Sequence, residues 1–566
     1  MKFFIFTVAI YLTLIVLSFG NLPQTFFQQD EWAIFGNYLY WDKAHLSIFQ
    51  RLFVYEQYTH LVPFSNAFSY IQFTLFGLNF APYSLVSLLL HVINALLVLS
   101  LVNILLKKRF LGALAGGLFL INSISHQAVT WIATAPGTVG STTVLLMSLV
   151  LYAKYLTHQG RKSWYLWLSL LLFLISLGFK ETSIFAFVFF PFFGWQFMPK
   201  RTFKTLFRLT IPIGILGVAY VFIRLFFSIF IISSPSIPAE LTQPSIPVYL
   251  FRLIAIPVRV LAQSFMPIPF ILKASRELVK LAYPHFAIDN TPDPYLVESV
   301  AADILSFFIF SIILFTRVIL RSYWQRLKAA NTARLFDVSL VFIALSALPF
   351  VVIPGAAGYL ALLDGRHLYL TGTFSAILLA IVLDAAWSKF NRKTFILFIV
   401  LALLGLFSTY HVLKVRRDIS YQMALGQLRQ SILHKISDTY PTLPQKAVFY
   451  ITSDAPYYGL PYEEPIVPFQ SGFGQTLLVW YNARIDDLPA CLFEHQYLYV
   501  LLSEDYKECG GRGFGYFRKP ESFNQAIKKY ELDPNNVIAF RFSSSTNSLL
   551  DVTEETREII RRLGKL

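Results

Sequence analysis

The feature that most constrains this chain is a succession of long apolar segments separated by short polar stretches. A transmembrane helix needs about 20 consecutive apolar residues, and a chain that is 56% hydrophobic and 14% charged has the composition of a membrane protein. The sequence therefore predicts a polytopic α-helical membrane protein with about eleven transmembrane helices. The predicted segments are 3–19, 83–106, 111–125, 138–157, 163–178, 183–198, 208–232, 298–320, 336–354, 367–387 and 394–411.

Basic residues occur between these segments in a regular order. Lys and Arg concentrate in the cytoplasmic loops of membrane proteins, so if Lys2 is cytoplasmic every second loop should be basic. The loops in question contain Lys107, Lys108 and Arg109; Arg161 and Lys162; Lys200, Arg201 and Lys204; Arg321, Arg326 and Lys328; and Lys389, Arg392 and Lys393. The pattern predicts a cytoplasmic N-terminus and an external C-terminus. It also explains the net charge of +15 without a nucleic-acid partner, for which the sequence has no motif.

The ends of the membrane domain carry further expectations. Ser18-Phe19-Gly20 offers a weak signal-peptide cleavage site, but the many later segments favour a retained membrane anchor. Two long external loops are expected, at 20–82 and 233–297. The second is rich in proline, and a loop of that length within a membrane domain usually acts as a lid or a binding surface.

The composition changes near Leu413, which divides the chain into a membrane domain (1–412) and a predicted extracytoplasmic domain (413–566). Apolar residues at helical spacing predict an amphipathic helix over 419–436. The remaining pattern predicts three short strands, at 447–451, 497–502 and 537–542, and two helices, at 521–530 and 553–563. This alternation is typical of a small α/β domain.

The C-terminal part also contains a glycine-rich run and both cysteines. Gly510 to Gly515 lacks the strand–turn–helix context of a nucleotide-binding motif, so we interpret it as a loop. Cys491 and Cys509 can form a disulfide outside the cell or remain two buried thiols, and the sequence leaves both possibilities open.

Polar residues in external positions are the candidates for function. Asp30 and Glu31 stand in an aromatic-rich stretch about ten residues beyond the first apolar segment, where charges are unfavourable unless solvated or partnered. Lys180, Arg366 and His367 are cations that could stabilise the charge on a departing phosphate, with a carboxylate as general base. This chemistry suits transfer of a sugar from a lipid-linked phosphate to a hydroxyl. The simpler interpretations are an interfacial turn, an ion pair between Lys180 and its neighbour Glu181, and an arginine reaching the interface.

Several short motifs lie in order along residues 1–410. They are Asp30-Glu31, the stretches 60–66, 76–79 and 83–97, Lys180-Glu181-Thr182, and Arg366-His367-Leu368-Tyr369-Leu370. Together they resemble GT-C glycosyltransferases, above all the membrane half of the tetratricopeptide-bearing O-mannosyltransferases and their bacterial relatives. The resemblance implies an enzyme of the bacterial plasma membrane that uses a polyprenyl-phosphate sugar donor, with membrane lipids around it.

The resemblance also implies roles for individual residues. The expected catalytic residues are Asp30 and Glu31. The remaining candidates are, for the donor phosphate, Lys180, Arg366, His367 and Tyr369, and, for the acceptor or support of the site, His60, His126, Gln127 and Glu181. The chain departs from the family where Gln127 replaces a carboxylate, which concentrates the role of base on Asp30. No spacing indicates a tight metal site, and a divalent metal, the sugar and the acceptor stay open.

Two other classes of function fit parts of the sequence. A transporter or flippase of lipid-linked substrates would place charges along an intramembrane path, but these charges lie at helix ends and no inverted repeat is visible. A non-catalytic membrane scaffold that presents the C-terminal domain would tolerate Gln127.

Overall fold

The computed structural model describes residues 2–54, 61–198, 202–227, 246–282, 294–327, 329–351, 363–390, 394–454, 465–469, 472–485 and 487–563. In these ranges a bundle of long helices is followed by a five-stranded sheet with its own helices. Eight of the described helices are long and apolar enough to cross a membrane, or nine if one bent pair counts as a single span. The protein is therefore a multi-pass α-helical membrane protein with a small C-terminal α/β part.

The helices of the membrane half follow the predicted apolar segments. Their bounds are α1 Lys2–Phe19, α2 Asp30–Lys43, α3 Pro63–Phe76, α4 Phe80–Leu106, α5 Arg109–Leu120, α6 Gln127–Thr130, α7 Ser141–Thr157, α8 Ser163–Phe179, α9 Ala186–Phe197, α10 Phe203–Phe226, α11 Ile246–Gln263, α12 Ile268–Ala282, α13 Pro294–Arg326, α14 Ala330–Ser346, α15 Tyr369–Phe390 and α16 Thr394–Thr439. Each of the eleven predicted segments contains a helix. Three of these, α5, α8 and α9, have 12, 17 and 12 residues and are shorter than the roughly 30 Å hydrocarbon core.

Small residues set the closest helix contacts of the bundle. A Cβ on Gly116 of α5 would lie 2.5 Å from the carbonyl oxygen of Ala95 in α4 and 2.1 Å from the hydroxyl of Tyr11 in α1. Glycine is therefore the residue that lets these three helices meet, as small residues commonly do between transmembrane helices. The Tyr11 hydroxyl donates to the carbonyl of Ala113 at 2.8 Å, which satisfies a polar group inside an apolar bundle.

The stretch predicted to be the first external loop, 20–82, has helical structure in its described residues. It contains α2 and α3, and the buried aromatic face of α2 packs in one core with the C-terminal part of the chain. A Cβ on Gly36 would lie 2.9 Å from the side chain of Leu498, so the two surfaces are in direct contact. The members of this core from α2 and the residues before it are Phe26, Phe27, Trp32, Phe35, Tyr38 and Trp41.

The prediction of a loop over 233–297 is wrong for the described residues 246–282. They form α11 and α12, which meet at 112°. Pro247 and Pro269 stand in the first turns of their helices, where proline is tolerated because the first N–H groups have no intrahelical partner. Pro247 and Pro269 therefore mark the beginnings of helices rather than an irregular loop.

Helix α16 joins the two halves. It has 46 residues and includes both the last apolar segment and the predicted amphipathic helix over 419–436. The predicted boundary at 412/413 lies within this helix. Ile432, Leu433 and Ile436, near its C-terminal end, are buried in the core shared by α2 and the C-terminal part.

The C-terminal sheet has the order β2-β3-β1-β4-β5, with β1 parallel to β3 and β4 and with antiparallel edge pairs. The elements are β1 Lys446–Ser453, α17 Phe473–Ile485, α18 His495–Val500, β2 Asp505–Cys509, β3 Arg512–Phe517, α19 Pro520–Tyr530, β4 Val537–Ser543, β5 Ser548–Asp551 and α20 Thr553–Leu563. The predictions over 447–451, 521–530, 537–542 and 553–563 are confirmed.

Two local predictions in this part are wrong. Residues 495–500 are helical and not a strand, since a short apolar run has no period that separates the two structures. The glycine run forms a turn at Gly510 and Gly511, both at positive φ, and then enters β3. In β3 a Cβ on Gly513 would lie 2.3 Å from the Tyr506 hydroxyl, so this glycine makes room for the ring of Tyr506. Cys491 and Cys509 form a disulfide, with Cα atoms 6.3 Å apart.

Candidate active site

The two adjacent carboxylates at the start of α2 have opposite environments. Glu31 is 1% exposed, and its Oε2 accepts hydrogen bonds from the backbone N–H groups of Gln28 and Gln29 at 3.2 and 3.0 Å. Its Oε1 accepts a longer one from Ala133 at 3.4 Å. Burial raises the pKa of Glu31, and these backbone donors lower it in part. Glu31 therefore connects the residues before α2 to the 131–135 segment, and its carboxylate is turned away from solvent.

Asp30, by contrast, is an exposed residue in the first turn of the same helix. Desolvation by the surrounding protein raises the pKa of its carboxyl, and the positive charge of Arg366 lowers it in part. A carboxylate with a raised pKa is a stronger base toward the proton of a hydroxyl. Of the two acidic residues, Asp30 is the one placed to meet a substrate.

Arg366 reaches this region from a single 3-10 turn, Gly365–Leu368, that leads into α15. Its guanidinium carbon lies 4.5 Å from the centre of the Trp131 ring, and its Nη2 lies 3.4 Å from Asp364 Oδ2. Its Nε is buried without a hydrogen-bond partner in the described part of the chain. Such an atom is unfavourable unless a ligand accepts its hydrogen bond.

The turn that carries Arg366 depends on a glycine. A Cβ on Gly365 would lie 2.4 Å from the backbone oxygen of Ile124. Backbone atoms cannot move aside as a flexible side chain can, so a larger residue here would push the turn away from the 122–130 segment. Gly365 thereby fixes the distance between Arg366 and its neighbours.

Lys180 and His367 lie beside Arg366 in what we call the cationic cluster, whose positive charges are those of Arg366 and Lys180. Lys180 Nζ donates to Thr138 Oγ1 at 2.6 Å, and burial, together with the charge of Arg366, lowers the pKa of Lys180 to about 8. Nδ1 of His367 is buried without a hydrogen-bond partner among the described residues. Lys180 and His367 line a cavity of about 20 Å³, the size of a single water molecule, together with hydroxyl side chains of Thr138, Ser141, Thr142, Thr182, Ser346 and Thr371.

The structure removes Tyr369 and Glu181 from the predicted site. Tyr369 is 0% exposed, and its hydroxyl bonds His91 Nδ1 at 2.7 Å and Asn94 Nδ2 at 3.1 Å, because one turn of helix carries it past Arg366 into the core. Glu181 pairs with Arg224 Nε at 2.7 Å and accepts from the Tyr220 hydroxyl at 3.3 Å. These partners lie on α10, so its carboxylate is directed away from the cationic cluster.

His126 and Gln127 belong to a different place. They line a cavity of about 780 Å³, which we call the large cavity, beside the turn of Arg366. Gln28, Gly365 and residues 414–422 of α16 contribute to the same wall. The prediction for His60 lies outside the described residues.

The wall of the large cavity contains a group of paired side chains, formed by His126, Lys414 and Asp418. His126 Nε2 lies 3.1 Å from Asp418 Oδ2, and Asp418 accepts from Lys414 Nζ at 2.5 and 2.6 Å. Nδ1 of His126 lies 2.6 Å from the backbone oxygen of Ser123. Ser123 in turn hydrogen-bonds His411 of α16 at 2.7 Å.

Sequence reasoning missed Trp131, Thr138 and Asp418. Trp131 and Thr138 carry no charge, and their use here depends on contacts with residues more than 40 positions away in the sequence. Asp418 lies between the predicted segment 394–411 and the predicted helix 419–436, so the sequence assigned it to neither, although an acid four residues after Lys414 has helical spacing. Within the described ranges, no group of three or more His, Cys, Asp or Glu side chains is placed to hold a metal ion.

Comparison with known proteins gives distant structural similarities. No family model and no curated protein matches the sequence. The chain is similar to the apo oligosaccharyltransferase of Archaeoglobus fulgidus (14% identity, TM-score 0.39, 86% of this chain and 64% of that one) and to AglB from the same organism in complex with an inhibitory peptide and a dolichol-phosphate (15%, 0.39, 84% and 63%). It is also similar to ArnT from Cupriavidus metallidurans bound to undecaprenyl phosphate (11%, 0.42, 96% and 93%).

The chain spans less than two thirds of the length of the oligosaccharyltransferase structures. At identities of 11–15% and TM-scores below 0.5, the similarity assigns no residue, substrate or partner.

Proposed function

We propose that this protein is a GT-C-type glycosyltransferase that moves a sugar from a polyprenyl-phosphate donor to a hydroxyl acceptor. One observation carries the proposal: an exposed carboxylate, Asp30, lies near enough to Arg366 for the guanidinium charge to lower its pKa in part, and the buried Nε of Arg366 has no hydrogen-bond partner in the described ranges. A base opposite a phosphate site is the arrangement that glycosyl transfer from a phosphate donor requires.

In the proposed reaction Asp30 removes the proton of the acceptor hydroxyl. The hydroxyl oxygen forms a bond to the anomeric carbon of the sugar, and the bond between that carbon and the phosphate oxygen breaks. The electron pair leaves with the polyprenyl phosphate, which gains one negative charge. No oxidant, reductant or further reactant is needed.

The cations supply the stabilisation of the leaving group. The Nε of Arg366 is a ready donor to a phosphate oxygen, and stacking on Trp131 holds the guanidinium plane in place. Lys180, with a pKa lowered to about 8, is still mostly protonated at pH 7 and adds a second charge. Both act in surroundings of low polarity, where each charge has a larger effect than in water.

The large cavity suits the acceptor. Its volume of about 780 Å³ is in the range of ordinary ligand sites, and Gln28 and Gly365 in its wall are close in sequence to Asp30 and Arg366. Because Asp418 is already paired with His126 and Lys414, we assign these three groups to shaping the cavity and hydrogen-bonding the acceptor. The identities of sugar and acceptor are not part of the proposal.

The proposal also places the site on the external face of a bacterial plasma membrane, following the charge pattern of the loops. Reporter fusions after Lys107 and Lys204 should then be cytoplasmic, and fusions after Glu181 and Asp418 external. A reporter after Lys204 that is found outside would overturn the orientation.

The reaction itself is tested with purified protein, a synthetic polyprenyl-phosphate sugar and a panel of hydroxyl acceptors. We expect acceptor-dependent release of polyprenyl phosphate with the wild-type protein and none with the Asp30→Asn variant. Transport of the intact donor across vesicles without release of the phosphate would instead support a flippase. Release that is equal in both proteins would contradict the role of Asp30.

A further inference from the structure

A second polar cavity lies at the opposite end of the helix bundle from Lys180 and His367. Two helices connect the two ends. Helix α9 begins a few residues after Lys180 and reaches the cavity at Gln196. Helix α14 begins beside the cavity at Ala330 and leads to Phe350, which contacts the His367 ring. The cavity measures about 350 Å³. We call it the arginine cavity; its lining residues with polar groups are Gln196, Arg317, Arg321, Trp324, Gln325, Arg334 and Asp337.

Positive charge is in excess in the arginine cavity. Arg317 forms a bidentate pair with Asp337, with Nε–Oδ1 and Nη2–Oδ2 distances of 2.5 and 3.0 Å, so these two charges cancel. Arg334 donates to the neutral side chain of Asn331 at 3.2 Å. Arg321 is exposed and makes no ion pair within the described part of the chain. Since Asp337 is paired with Arg317, the charge of Arg321 has no acidic partner in the arginine cavity.

The helix that carries two of these arginines faces lipid. Arg317 and Arg321 stand one turn apart on α13, directly beyond a series of apolar side chains that the protein does not cover. Phe308, Phe315 and Val318 are 62%, 67% and 60% exposed. Only 11% of the apolar window of α13 is buried inside the protein. The arginines therefore lie where a lipid headgroup meets its acyl chains.

We propose that the arginine cavity binds the phosphodiester headgroup of an anionic phospholipid, whose acyl chains lie along the exposed face of α13. Guanidinium groups recognise phosphate oxygens through paired N–H donors, and basic pockets between transmembrane helices suit anionic headgroups. A zwitterionic lipid offers the same phosphate but adds a positive group, which the excess arginine charge repels. The proposal does not depend on the glycosyl-transfer reaction.

The test is native mass spectrometry of the full-length protein in detergent, titrated with phosphatidylglycerol or phosphatidylcholine. We expect preferential retention of phosphatidylglycerol by the wild type. One basic residue contributes roughly a fivefold change in affinity for an anionic lipid, so Arg321→Gln should bind about fivefold more weakly and the Arg321→Gln/Arg334→Gln double variant about thirtyfold. Arg321→Lys, which keeps the charge, should retain most of the binding.

The matched control is Arg161→Gln, because Arg161 is exposed at the same end of the bundle but does not line the cavity. It should bind like the wild type. Equal retention of the two lipids, or wild-type binding by the double variant, would overturn the proposal. Displacement of phosphatidylglycerol by millimolar inorganic phosphate would show a free-anion site and would also overturn the assignment to a lipid.

Discussion

The cationic cluster around Arg366 and the large cavity are both next to the turn Gly365–Leu368. They differ in whether their charged and polar groups have partners within the protein. In the cluster, the buried Nε of Arg366 and Nδ1 of His367 have no hydrogen-bond partner among the described residues, and Asp30 is exposed. In the large cavity, Asp418 is paired with both His126 and Lys414. Charged groups that are left without partners indicate a place where a charged ligand binds, whereas paired groups indicate fixed shape.

The largest effect should come from Asp30. Asp30→Asn keeps the size of the side chain but removes the basic lone pair, so kcat should fall by about two to four orders of magnitude. Donor binding should be nearly unchanged, because the phosphate is held elsewhere. The measurement is steady-state release of polyprenyl phosphate together with donor affinity.

Glu31→Gln is the matched control for this experiment. The amide oxygen can still accept from Gln28 and Gln29, so we expect a loss of about tenfold or less and some loss of thermal stability. If Glu31→Gln proves more damaging to kcat than Asp30→Asn, the role of base belongs to Glu31 in spite of its burial.

The next largest effect is expected from Arg366, and a variant of Arg417 tests whether the cationic cluster and the large cavity differ in their roles. Arg366→Ala should lower kcat by roughly 10²–10³-fold, the usual cost of losing one donor to developing negative charge. Arg417→Ala, on the wall of the large cavity, should change only the acceptor KM. Arg366→Lys should restore part of the activity, since an ammonium group keeps the charge but loses the planar contact with Trp131. Similar losses from both alanine variants would remove the distinction.

A third prediction concerns pH. The pKa of Lys180 is lowered to about 8, so the lysine loses its proton and the rate should decline as pH rises through about 8. The pKa of Asp30 is raised, so the rate should decline on the acid side at a higher pH than an ordinary carboxyl would give. Lys180→Arg should move the basic limb of the pH–rate profile upward, because a guanidinium stays protonated.

Arg366→Gln provides the second arm of the pH experiment. The charge of Arg366 lowers the pKa of both Lys180 and Asp30, so its removal should shift both limbs of the residual activity upward. A basic limb that stays near pH 8 in Lys180→Arg would mean that another group titrates there.

The smallest effect is expected from the paired charges. Asp418→Asn breaks its ion pairs with His126 and Lys414, which are partly exposed and contribute about 1 kcal/mol or less each. The acceptor KM should rise by roughly threefold to tenfold, with little change in kcat. A loss of kcat as large as that of Asp30→Asn would place the chemistry in the large cavity.

The helices of the membrane half were predictable because their apolar segments are long. Long segments such as 83–106 and 298–320 become helices because no other structure satisfies the backbone within lipid. The elements that were wrong depend on context instead. Pro247 and Pro269 stand in the first turns of helices, and the apolar run after His495 is helical, which local composition does not distinguish.

The sequence predicted which charged residues belong to the candidate site, but not how their side chains are arranged in space. The sequence brought Asp30, Lys180, Arg366 and His367 together through short motifs. The sequence did not show that Glu31 is buried while Asp30 is exposed, or that Tyr369 lies in the core away from Arg366. Burial of a residue depends on packing against residues that are distant in the chain. The Trp131 ring and the Thr138 hydroxyl, which hold the two cations, are such residues.

Helix α16 has one more consequence, which concerns rotation about its axis. The helix is about 70 Å long at 1.5 Å per residue. Its His411 bonds Ser123, its Gly426 packs against Phe26, and its Ile432 is buried in the core shared by α2 and the C-terminal part. One residue inserted between Gly426 and Ile432 would turn everything beyond it by about 100° and separate α2 from its partners. Seven inserted residues nearly restore the angle but add about 10 Å of length. This stretch should therefore accept most exposed substitutions and reject insertions of any size, a difference that insertion scanning by yield of folded protein can measure.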